Sequence, residues 1–274
     1  MWIIITVLAL FLLYIFLICP CLRSHPDKNL CKKLYVAHRG LHNIDEGIPE
    51  NSIKAFENAI KHNVAIEIDI HLTKDSKVVI FHDDNLNRVC GIDGIIEDMT
   101  LEQLSKCKLL GTEEKIPTLE QLLEICTDKT VLVIEFKCSP TAYKELCIKA
   151  NEILSKHNVK YIVQSFNPLA MRWYKLNRKD ICRGQLSSNF LRDKSKKPIE
   201  ILCGFLLFNF FSRPDFISYN YQYKNNISRK ICVFLGAISA AWTIKSQNVL
   251  TKNLSEYDIF IFEDFLPTKK ESSF

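Results

Sequence analysis

The chain has 274 residues, of which 47% are hydrophobic and 24% are charged, and its formal net charge at pH 7 is +5. This length suits one large α/β domain or two small ones, and the composition is ordinary for a protein with a sizeable core. Lysine and arginine are dispersed, and no long basic tract is interleaved with aromatic residues, which argues against nucleic-acid binding.

The first twenty residues form a separate apolar segment. There is no charged residue between Trp2 and Cys19, and at about 1.5 Å per residue such a helix nearly crosses a hydrocarbon core of roughly 30 Å. We therefore expect a transmembrane anchor over residues 1–20 and a juxtamembrane linker over residues 21–33. A cleaved signal peptide is the alternative, but it would need basic residues before the apolar stretch and a small-x-small cleavage site.

The charges that follow this segment predict its orientation. Arg23, Lys28, Lys32 and Lys33 lie just after it, and the positive-inside rule then places the rest of the chain in the cytoplasm. Eleven cysteines without a C-x-x-C pair are typical of reduced thiols and agree with that compartment. The expected protein is a single-pass membrane protein with its main domain, residues 34–270, on the cytoplasmic side.

From residue 34 onward, β-type runs alternate with amphipathic stretches. Eight such runs separated by helical segments, with polar residues at their carboxyl ends, predict a (β/α)8 TIM barrel. The predicted barrel strands are Leu34–Ala37, Ala65–Ile70, Val131–Phe136, Tyr161–Gln164, Ile181–Gln185, Asp215–Tyr219, Ile238–Trp242 and Ile259–Phe262. The clearest predicted helices are Ser52–His62, Leu119–Thr127, Ala142–His157 and Asn167–Leu176.

One additional strand interrupts the alternation. Too few residues separate Ile70 from Val78 for a helical crossover, so Val78–Phe81 is expected to return as an antiparallel hairpin. A turn centred between Asp75 and Ser76 would place Asp69 opposite His82.

Three short motifs at strand ends carry the chemistry: His38-Arg39-Gly40, Glu67-Ile68-Asp69 and His82-Asp83. Two imidazoles can move protons, two carboxylates can hold a divalent cation, and a guanidinium can bind a phosphate. Strand alternation places the two carboxylates of the second motif on one face, as a shared ion requires. Read together, the motifs indicate a phosphodiesterase site, to which a fourth, Glu135-Phe136-Lys137, adds another carboxylate and a cation.

The ordered set of motifs resembles the glycerophosphodiester phosphodiesterase family. The matching pieces cover nearly everything after the apolar segment: Ala37-His38-Arg39-Gly40, Pro49-Glu50-Asn51-Ser52, Glu67-Ile68-Asp69, Thr73-Lys74-Asp75, Val79-Ile80-Phe81-His82-Asp83, Ile116-Pro117-Thr118-Leu119, Ile134-Glu135-Phe136-Lys137, Ser165-Phe166 and Ala241-Trp242-Thr243. The resemblance implies a barrel enzyme that uses Ca²⁺ or Mg²⁺ to cleave glycerophosphodiesters into glycerol 3-phosphate and an alcohol.

The resemblance also implies roles for individual residues. Glu67, Asp69 and Glu135 would ligate the metal, and their hard oxygen donors suit calcium or magnesium. His38 and His82 would be general acid and base, in either order, because an imidazole titrates near neutrality. An internal attack by the glycerol 2-hydroxyl, giving a cyclic phosphate that is then opened, fits equally well.

Three further residues are candidates for substrate binding. Arg39 is expected to stabilise the phosphate, and Lys137 either does the same or forms a salt bridge with a metal-binding carboxylate. Trp242 is interpreted as an apolar wall against the glycerol or leaving group, or as a core aromatic. His71 shares the strand face of Glu67 and is an additional candidate ligand on spacing alone.

The sequence departs from the family pattern at two places. Lys245 stands where the family usually has Asn, and the last strand ends in Glu263-Asp264 rather than a Thr-Asp or Thr-Asn pair. Neither departure affects the proposed metal ligands or the two histidines. The first of them puts the leaving-group pocket in question.

An apolar run over residues 201–211 follows several basic residues and is too short to span a membrane. It is either a buried barrel helix or a segment that dips into a bilayer beside the active site. The expected substrates are glycerophosphodiesters or lysophospholipid-like lipids. The alternatives are a lipase of phospholipase D or phosphoinositide type on a related barrel, and an inactive barrel that binds lipid head groups. The sequence leaves the oligomeric state open.

Overall fold

A computed structural model describes residues 1–23, 25, 29–139, 141–195 and 197–268. Eight parallel strands form one sheet that closes on itself, because β1 pairs with both β2 and β9. The predicted barrel is thereby confirmed. The strands are β1 (Leu34–Ala37), β2 (Ala65–Leu72), β4 (Val131–Phe136), β5 (Lys160–Ser165), β6 (Arg183–Ser187), β7 (Phe216–Asn220), β8 (Ile238–Ile244) and β9 (Ile259–Phe262), with the antiparallel hairpin strand β3 (Val78–Ile80).

The helices lie around the outside of this sheet and over its ends. They are α1 (Trp2–Ile18), α2 (Ile53–Lys61), α3 (Asn87–Cys90), α4 (Leu101–Leu104), α5 (Leu119–Ile125), α6 (Tyr143–Leu154), α7 (Pro168–Asn177), α8 (Pro198–Gly204), α9 (Asn209–Ser212), α10 (Ile227–Phe234) and α11 (Gln247–Asn253). Local signals set their starts. Helix α5 begins where the Thr118 side chain accepts a hydrogen bond from the backbone amide of Gln121. Helix α7 begins at Pro168, directly after its capping residue Asn167.

Apolar side chains fill the barrel interior near the amino ends of the strands. Val36, Val133, Ile162 and Phe216 are all fully buried in one cluster there. Gly184 is required beside them, because a Cβ at this position would lie 2.1 Å from the Phe216 ring. Since the interior is packed with hydrocarbon at the amino end, the polar side chains that face the pocket lie at the carboxyl end.

The hairpin between β2 and β3 has a different register from the one predicted. Ile70 pairs with Ile80, and the amide of Phe81 donates to the carbonyl oxygen of Asp69, so Phe81 rather than His82 lies opposite Asp69. The five-residue loop 73–77 is closed by a bond from the Thr73 amide to the Lys77 carbonyl and is centred on Asp75. A loop with an odd number of residues shifts the pairing by one position.

The N-terminal apolar segment forms α1, which ends before Pro20. The transmembrane helix expected over residues 1–20 does not agree with the structure: nowhere in the described ranges is a helix long and apolar enough to cross a membrane. Residues 24 and 26–28 of the expected linker, and residues 269–270 at the end of the expected barrel domain, lie outside the described residues.

The apolar run over residues 201–211 belongs to two short helices, α8 and α9. Phe208 and Phe210 are half-buried, and Phe210 lies with its ring centroid 4.0 Å from that of Phe211 and 6.3 Å from that of Phe16 on α1. Leu202 and Phe205 are the exposed side chains of this run. The second half of the run therefore packs against the protein, whereas the first half faces outward.

Candidate active site

Three carboxylates meet at the carboxyl end of the barrel. Glu67 and Asp69 lie on β2, and Asp69 pairs in register with Glu135 on β4. All three are buried, and one ligand oxygen from each lies within 4.8 Å of the others. The Arg39 amide donates to Glu67 Oε2 at 3.0 Å, and Asn51 Nδ2 donates to Asp69 Oδ2 at 3.0 Å, which fixes the two side chains on β2.

Burial and neighbouring charges shift the pKa values of these three carboxyl groups. Burial, together with repulsion by Asp69 and Glu135, raises the pKa of Glu67 well above its usual range. Burial raises the pKa of Glu135 to about 7, although Lys137 opposes the shift. The pKa of Asp69 is lowered despite its burial, because the positive charges of Lys137, His82 and Arg39 surround it. The cluster is thus short of positive charge.

The donor set fits a hard divalent cation. Lys137 Nζ lies 2.6 Å from Glu135 Oε1 and 3.2 Å from Asp69 Oδ1. Even so, neither of those buried oxygens has a hydrogen bond of acceptable geometry within the described part of the chain. Three carboxylate oxygens in one small volume are the ligands that Ca²⁺ and Mg²⁺ prefer, and a cation there would relieve the repulsion that raises the pKa of Glu67.

His71 does not join this cluster. Its side chain is buried, and Nε2 lies 3.4 Å from the carbonyl oxygen of His82. Burial lowers the pKa of His71 to about 4, so the ring is neutral near pH 7. The residue contacts the backbone that carries His82.

His38 is held by a carboxylate from the other end of the chain. Its Nδ1 lies 2.8 Å from Glu263 Oε2, a residue 225 positions away at the end of β9. Burial lowers the pKa of His38, and the bond to Glu263 partly offsets this. With Nδ1 occupied, Nε2 is the nitrogen left for the pocket, which is how carboxylates orient histidines in many active sites.

His82 has the same kind of support. Its Nδ1 lies 2.5 Å from Asp83 Oδ1, and Asp83 in turn accepts a bond from Arg88 Nε at 2.7 Å. Burial lowers the pKa of His82, although the negative charge of Asp69 acts in the opposite direction. Two imidazoles with lowered pKa values, each anchored through Nδ1, therefore line the same pocket.

Arg39 is fixed by a network of charges. Its Nη1 lies 2.7 Å from Glu50 Oε1, and Arg88 donates to both oxygens of Glu50. The pKa of Glu50 falls to about 2, because the bonds to Arg88 and Arg39 outweigh its burial. Arg39 Nε lies 3.7 Å from Asp69 Oδ2. The guanidinium is thereby oriented at the pocket before any substrate binds.

The turn after β1 makes this arrangement possible. Arg39 and Gly40 both adopt positive φ angles, +54° and +80°. A Cβ on Gly40 would lie 2.8 Å from the Cβ of Ala55 on α2, so glycine is needed for the close approach. The turn presents the Arg39 amide to Glu67 and the side chains of His38 and Arg39 to the pocket.

The opposite wall of the pocket is apolar. Phe166, Leu186 and Trp242 line it, and the rings of Phe166 and Trp242 meet edge to face with centroids 5.9 Å apart. The cavity between the walls is about 110 Å³. This is small beside the roughly 300–1,000 Å³ of pockets that enclose drug-sized ligands, so it suits a phosphate group and not a whole lipid. Larger substituents must extend out of the mouth.

All the site residues named from the sequence lie at this end of the barrel. Seven of them line the pocket directly, and Asp69 completes the carboxylate cluster beside them. Sequence reasoning missed Arg88 and Leu186 and gave no role to Glu263. The two departures from the family pattern contact each other, because Lys245 Nζ lies 3.4 Å from Glu263 Oε1 and 3.2 Å from Asp264 Oδ2. The opposite charges of Lys245 and Glu263, both at positions that depart from the family pattern, were the sequence signal that could have pointed to Glu263.

The barrel and the site together define the class: a (β/α)8 protein with a buried acidic cluster suited to a divalent cation and two histidines beside it. The chain belongs to the Glycerophosphoryl diester phosphodiesterase family, whose sequence profile matches residues 38–230. That match covers more than half of the chain and includes every site residue named above except Trp242, Lys245, Glu263 and Asp264.

Individual relatives agree with this assignment. A glycerophosphodiester phosphodiesterase of Caldanaerobacter subterraneus is 35% identical over 153 residues, which are 52% of this chain and 61% of the relative. The human lysophospholipase D GDPD1 is 28% identical over 156 residues, which are 52% of this chain and 48% of that protein. The aligned part thus spans about half to three fifths of each relative's length.

Solved structures share the fold over a larger part of the chain. A phosphodiesterase of Oleispira antarctica in complex with the product sn-glycerol-3-phosphate superposes with a TM-score of 0.69 at 23% identity, covering 85% of this chain and 94% of that one. A glycerophosphodiester phosphodiesterase of Thermotoga maritima gives 0.63 at 26% identity, covering 84% and 93%.

Proposed function

We propose that the chain hydrolyses glycerophosphodiesters to glycerol 3-phosphate and an alcohol in a reaction that depends on Ca²⁺ or Mg²⁺. The observation that carries this proposal is the buried cluster of Glu67, Asp69 and Glu135 within reach of two carboxylate-anchored histidines. Membership of the family and the named activity of its relatives support the choice of substrate.

Glu67, Asp69 and Glu135 would hold the cation. When bound, it would supply Lewis-acid stabilisation of the phosphoryl oxygens. Arg39 adds a guanidinium already oriented by Glu50, and it can donate to a non-bridging oxygen as charge develops there. Lys137 lies within 3.2 Å of two of the carboxylates, so it balances their charge in addition to facing the pocket.

Proton transfer falls to His38 and His82. One ring takes the proton from the attacking hydroxyl, which belongs to water or to the glycerol C2 carbon, and the new P–O bond forms. The other ring gives its proton to the alcohol oxygen as the old P–O bond breaks. If the 2-hydroxyl attacks, water then opens the cyclic phosphate. A neutral base is favoured near pH 7, because burial lowers the pKa of both imidazoles.

Product identification tests this reaction. The full chain would be incubated with glycerophosphocholine and glycerophosphoethanolamine, and the phosphorus-containing products would be resolved by ³¹P NMR. Glycerol 3-phosphate is expected from both substrates. Phosphocholine as the product would indicate cleavage of the other P–O bond and a phospholipase C-type reaction, and absence of any product would favour a barrel that only binds head groups.

A second substrate class, lysophospholipids, is favoured by the apolar wall. Phe166, Leu186 and Trp242 offer hydrocarbon beside the phosphate position, which a glycerol moiety alone does not require. The human relative that bears the name lysophospholipase D supports the same choice. Lysophosphatidylcholine is then expected to give a lysophosphatidic acid and choline. Glycerophosphocholine turnover without this activity would restrict the function to soluble diesters.

We also propose that the protein works at a membrane, with the barrel on its cytoplasmic side. The side chains of residues 1–13 on α1 are exposed and apolar, apart from Thr6, and such a surface is costly in water. Replacing Ile4, Val7 and Phe11 with Asn together should release the protein from membranes into the soluble fraction. Retention of the triple variant in the membrane fraction would show that α1 does not hold it there.

A further inference from the structure

We infer that the mouth of the barrel faces the lipid bilayer, held in that orientation by two elements on one side of it: the free part of α1, and the described residues 191–195 and 197–205, called here the β6–α8 segment. The inference extends the proposed function, since it says where the substrate comes from.

Contacts along α1 fix its direction relative to the barrel. Tyr14 Oη and Ser228 Oγ lie 2.8 Å apart, and Ser228 belongs to the first turn of α10, at the carboxyl end of the strands. One turn later, the carbonyl of Ile18 accepts a bond from Asn209 Nδ2 at 2.9 Å. The Cys21 amide then donates to the carbonyl of Pro214, which precedes β7 at the amino end. Helix α1 therefore runs alongside α10, and its start points beyond the mouth.

The free part of α1 comprises residues 2–13, all of them exposed. At 1.5 Å per residue it extends roughly 20 Å past Tyr14. This part of the helix has no polar face, since its one side-chain hydroxyl, Thr6 Oγ1, donates to the carbonyl of Trp2. A helix that is apolar all round is covered on all sides by hydrocarbon, which a lipid layer provides and a groove on a partner protein does not.

The β6–α8 segment presents a second apolar surface at the same end. Leu191, Ile199, Leu202 and Phe205 are each at least 40% exposed. Tyr219 Oη, from the last part of β7, donates to the carbonyl of Gly204 at 2.9 Å. This bond places the end of α8 at the level of the carboxyl end of β7. Apolar side chains exposed beside a pocket mouth are a feature of membrane-docking surfaces.

Positive charge accompanies these side chains. Arg192, Lys194 and Lys197 are exposed in the same segment. Among the described residues, Arg192 and Lys194 form no ion pair, while Lys197 is paired with Glu200 at 3.1 Å. Asp193 between them is also exposed, and its carboxylate accepts hydrogen bonds from the hydroxyls of Ser188, at 2.6 Å, and Tyr223. Basic residues flanking an apolar patch complement anionic lipid head groups, so the occupant is a bilayer that contains anionic lipid.

Aromatic rings connect the pocket to this surface. From Trp242 inside the pocket, the chain of ring contacts passes to Phe166 at 5.9 Å and then to Phe190 at 6.0 Å. Phe190 directly precedes the exposed Leu191. An acyl chain attached to a phosphodiester in the pocket would thus have an apolar path to the lipid layer. A lipid substrate therefore need not leave the membrane fully to be cleaved.

Hydrogen exchange of the full chain tests the orientation. Exchange would be compared in buffer and with vesicles of phosphatidylcholine containing phosphatidylserine. Protection is expected over residues 189–205 and at the start of α10, with no change at Phe234, which is exposed at the far end of α10. Protection at Phe234 instead, or protection confined to α1, would overturn the inference.

A matched pair of variants tests the β6–α8 segment itself. Ile199→Ser/Leu202→Ser removes two exposed apolar side chains at the mouth, and Phe234→Ser removes one large exposed apolar side chain at the far end of α10. The double variant should weaken binding to the anionic vesicles about 10-fold, because about 1.4 kcal/mol of apolar transfer is lost. Phe234→Ser should change binding less than about 2-fold. Equal effects of the two variants would contradict the inference.

Turnover of soluble glycerophosphocholine separates the two proposals. Both variants should keep the turnover of the unchanged chain, since neither alters a residue that lines the active-site pocket. If the chain shows no turnover yet its vesicle binding depends on Ile199 and Leu202, the proposed function fails and the docking surface stands. If turnover is normal and vesicle binding is insensitive to these residues, the docking surface fails and the proposed function stands.

Discussion

The two halves of the barrel mouth differ sharply in chemistry. The strands β1 to β4 carry His38, the carboxylate cluster and the loop of His82, together with most of the charge in the site. The strands β5 to β8 supply Phe166, Leu186 and Trp242 instead, and the exposed apolar elements flank this same half. Substitutions in the first half should change the chemical step, and those in the second should change which substrates are used.

The histidines provide the largest expected effect. His38→Ala and His82→Ala should each lower kcat by about 100- to 10,000-fold, because a positioned acid or base contributes that much to proton transfer. Turnover of glycerophosphocholine at saturating substrate measures it. His62→Ala is the control, since this exposed histidine lies at the end of α2, outside the pocket, with its Nδ1 2.9 Å from the carbonyl oxygen of Asn58. Near-normal kcat in either pocket variant would remove that residue from the mechanism.

Glu263→Gln tests whether the end of β9 positions a histidine. We expect kcat to fall about 10- to 100-fold with KM little changed, because His38 loses the carboxylate that orients it. The bond to Glu263 raises the pKa of His38, so its loss should shift one limb of the pH–rate profile to lower pH.

The limb that moves also assigns the role of His38. A shift of the acidic limb identifies His38 as the base, which must be neutral, and a shift of the basic limb identifies it as the acid. Asp264→Asn is the matched control, since Asp264 contacts Lys245 and not His38. A profile unchanged in both limbs would mean that Glu263 has no part in positioning His38.

Gly40→Ala tests the turn after β1, which presents the side chains of His38 and Arg39 to the pocket. The new Cβ would lie 2.8 Å from the Cβ of Ala55, and the alanine would have to keep the positive φ of Gly40. We therefore expect the free energy of unfolding in denaturant to fall by about 1–3 kcal/mol. Gly111→Ala has a similar φ of +73° and nothing within 4 Å of the added atom, which isolates the conformational cost. Equal losses in the two variants would show that contact with α2 is unimportant.

Trp242→Leu should give the smallest effect and the most selective one. Loss of the edge-to-face contact with Phe166 should raise KM for lysophosphatidylcholine about 3- to 10-fold. KM for glycerophosphocholine should change less, because that substrate has no acyl chain to place against the wall. Equal changes for the two substrates would indicate that Trp242 supports the pocket without selecting its ligand.

Strand periodicity and motif order predicted much of the fold and the cluster. Glu67 and Asp69 share a face because side chains alternate along β2, and Glu135 follows from the parallel register of β4 with β2. The hairpin register was wrong by one residue because it depends on whether the loop 73–77 has an odd or even length. Sequence patterns do not specify that detail.

The carboxylate partners of the two histidines also differ in whether the sequence could predict them. Asp83 is the immediate neighbour of His82, so the contact is local, whereas Glu263 reaches His38 only because β9 pairs with β1 when the barrel closes. The course of α1 was likewise beyond sequence reasoning. Its direction is set by contacts with Ser228 and Asn209, far along the chain, and those contacts appear only once the barrel has formed.

Cation binding is the most direct test of the central claim that three carboxylates form a metal site. Thermal unfolding of the metal-free chain would be followed while Ca²⁺ or Mg²⁺ is added, for the unchanged protein, Glu135→Gln and the exposed control Glu120→Gln. A cation at 100 times its Kd should stabilise the unchanged protein and the control by about 2.7 kcal/mol and restore turnover after chelation, with both effects lost in Glu135→Gln. Equal stabilisation of all three proteins, or turnover that survives complete chelation, would contradict the account.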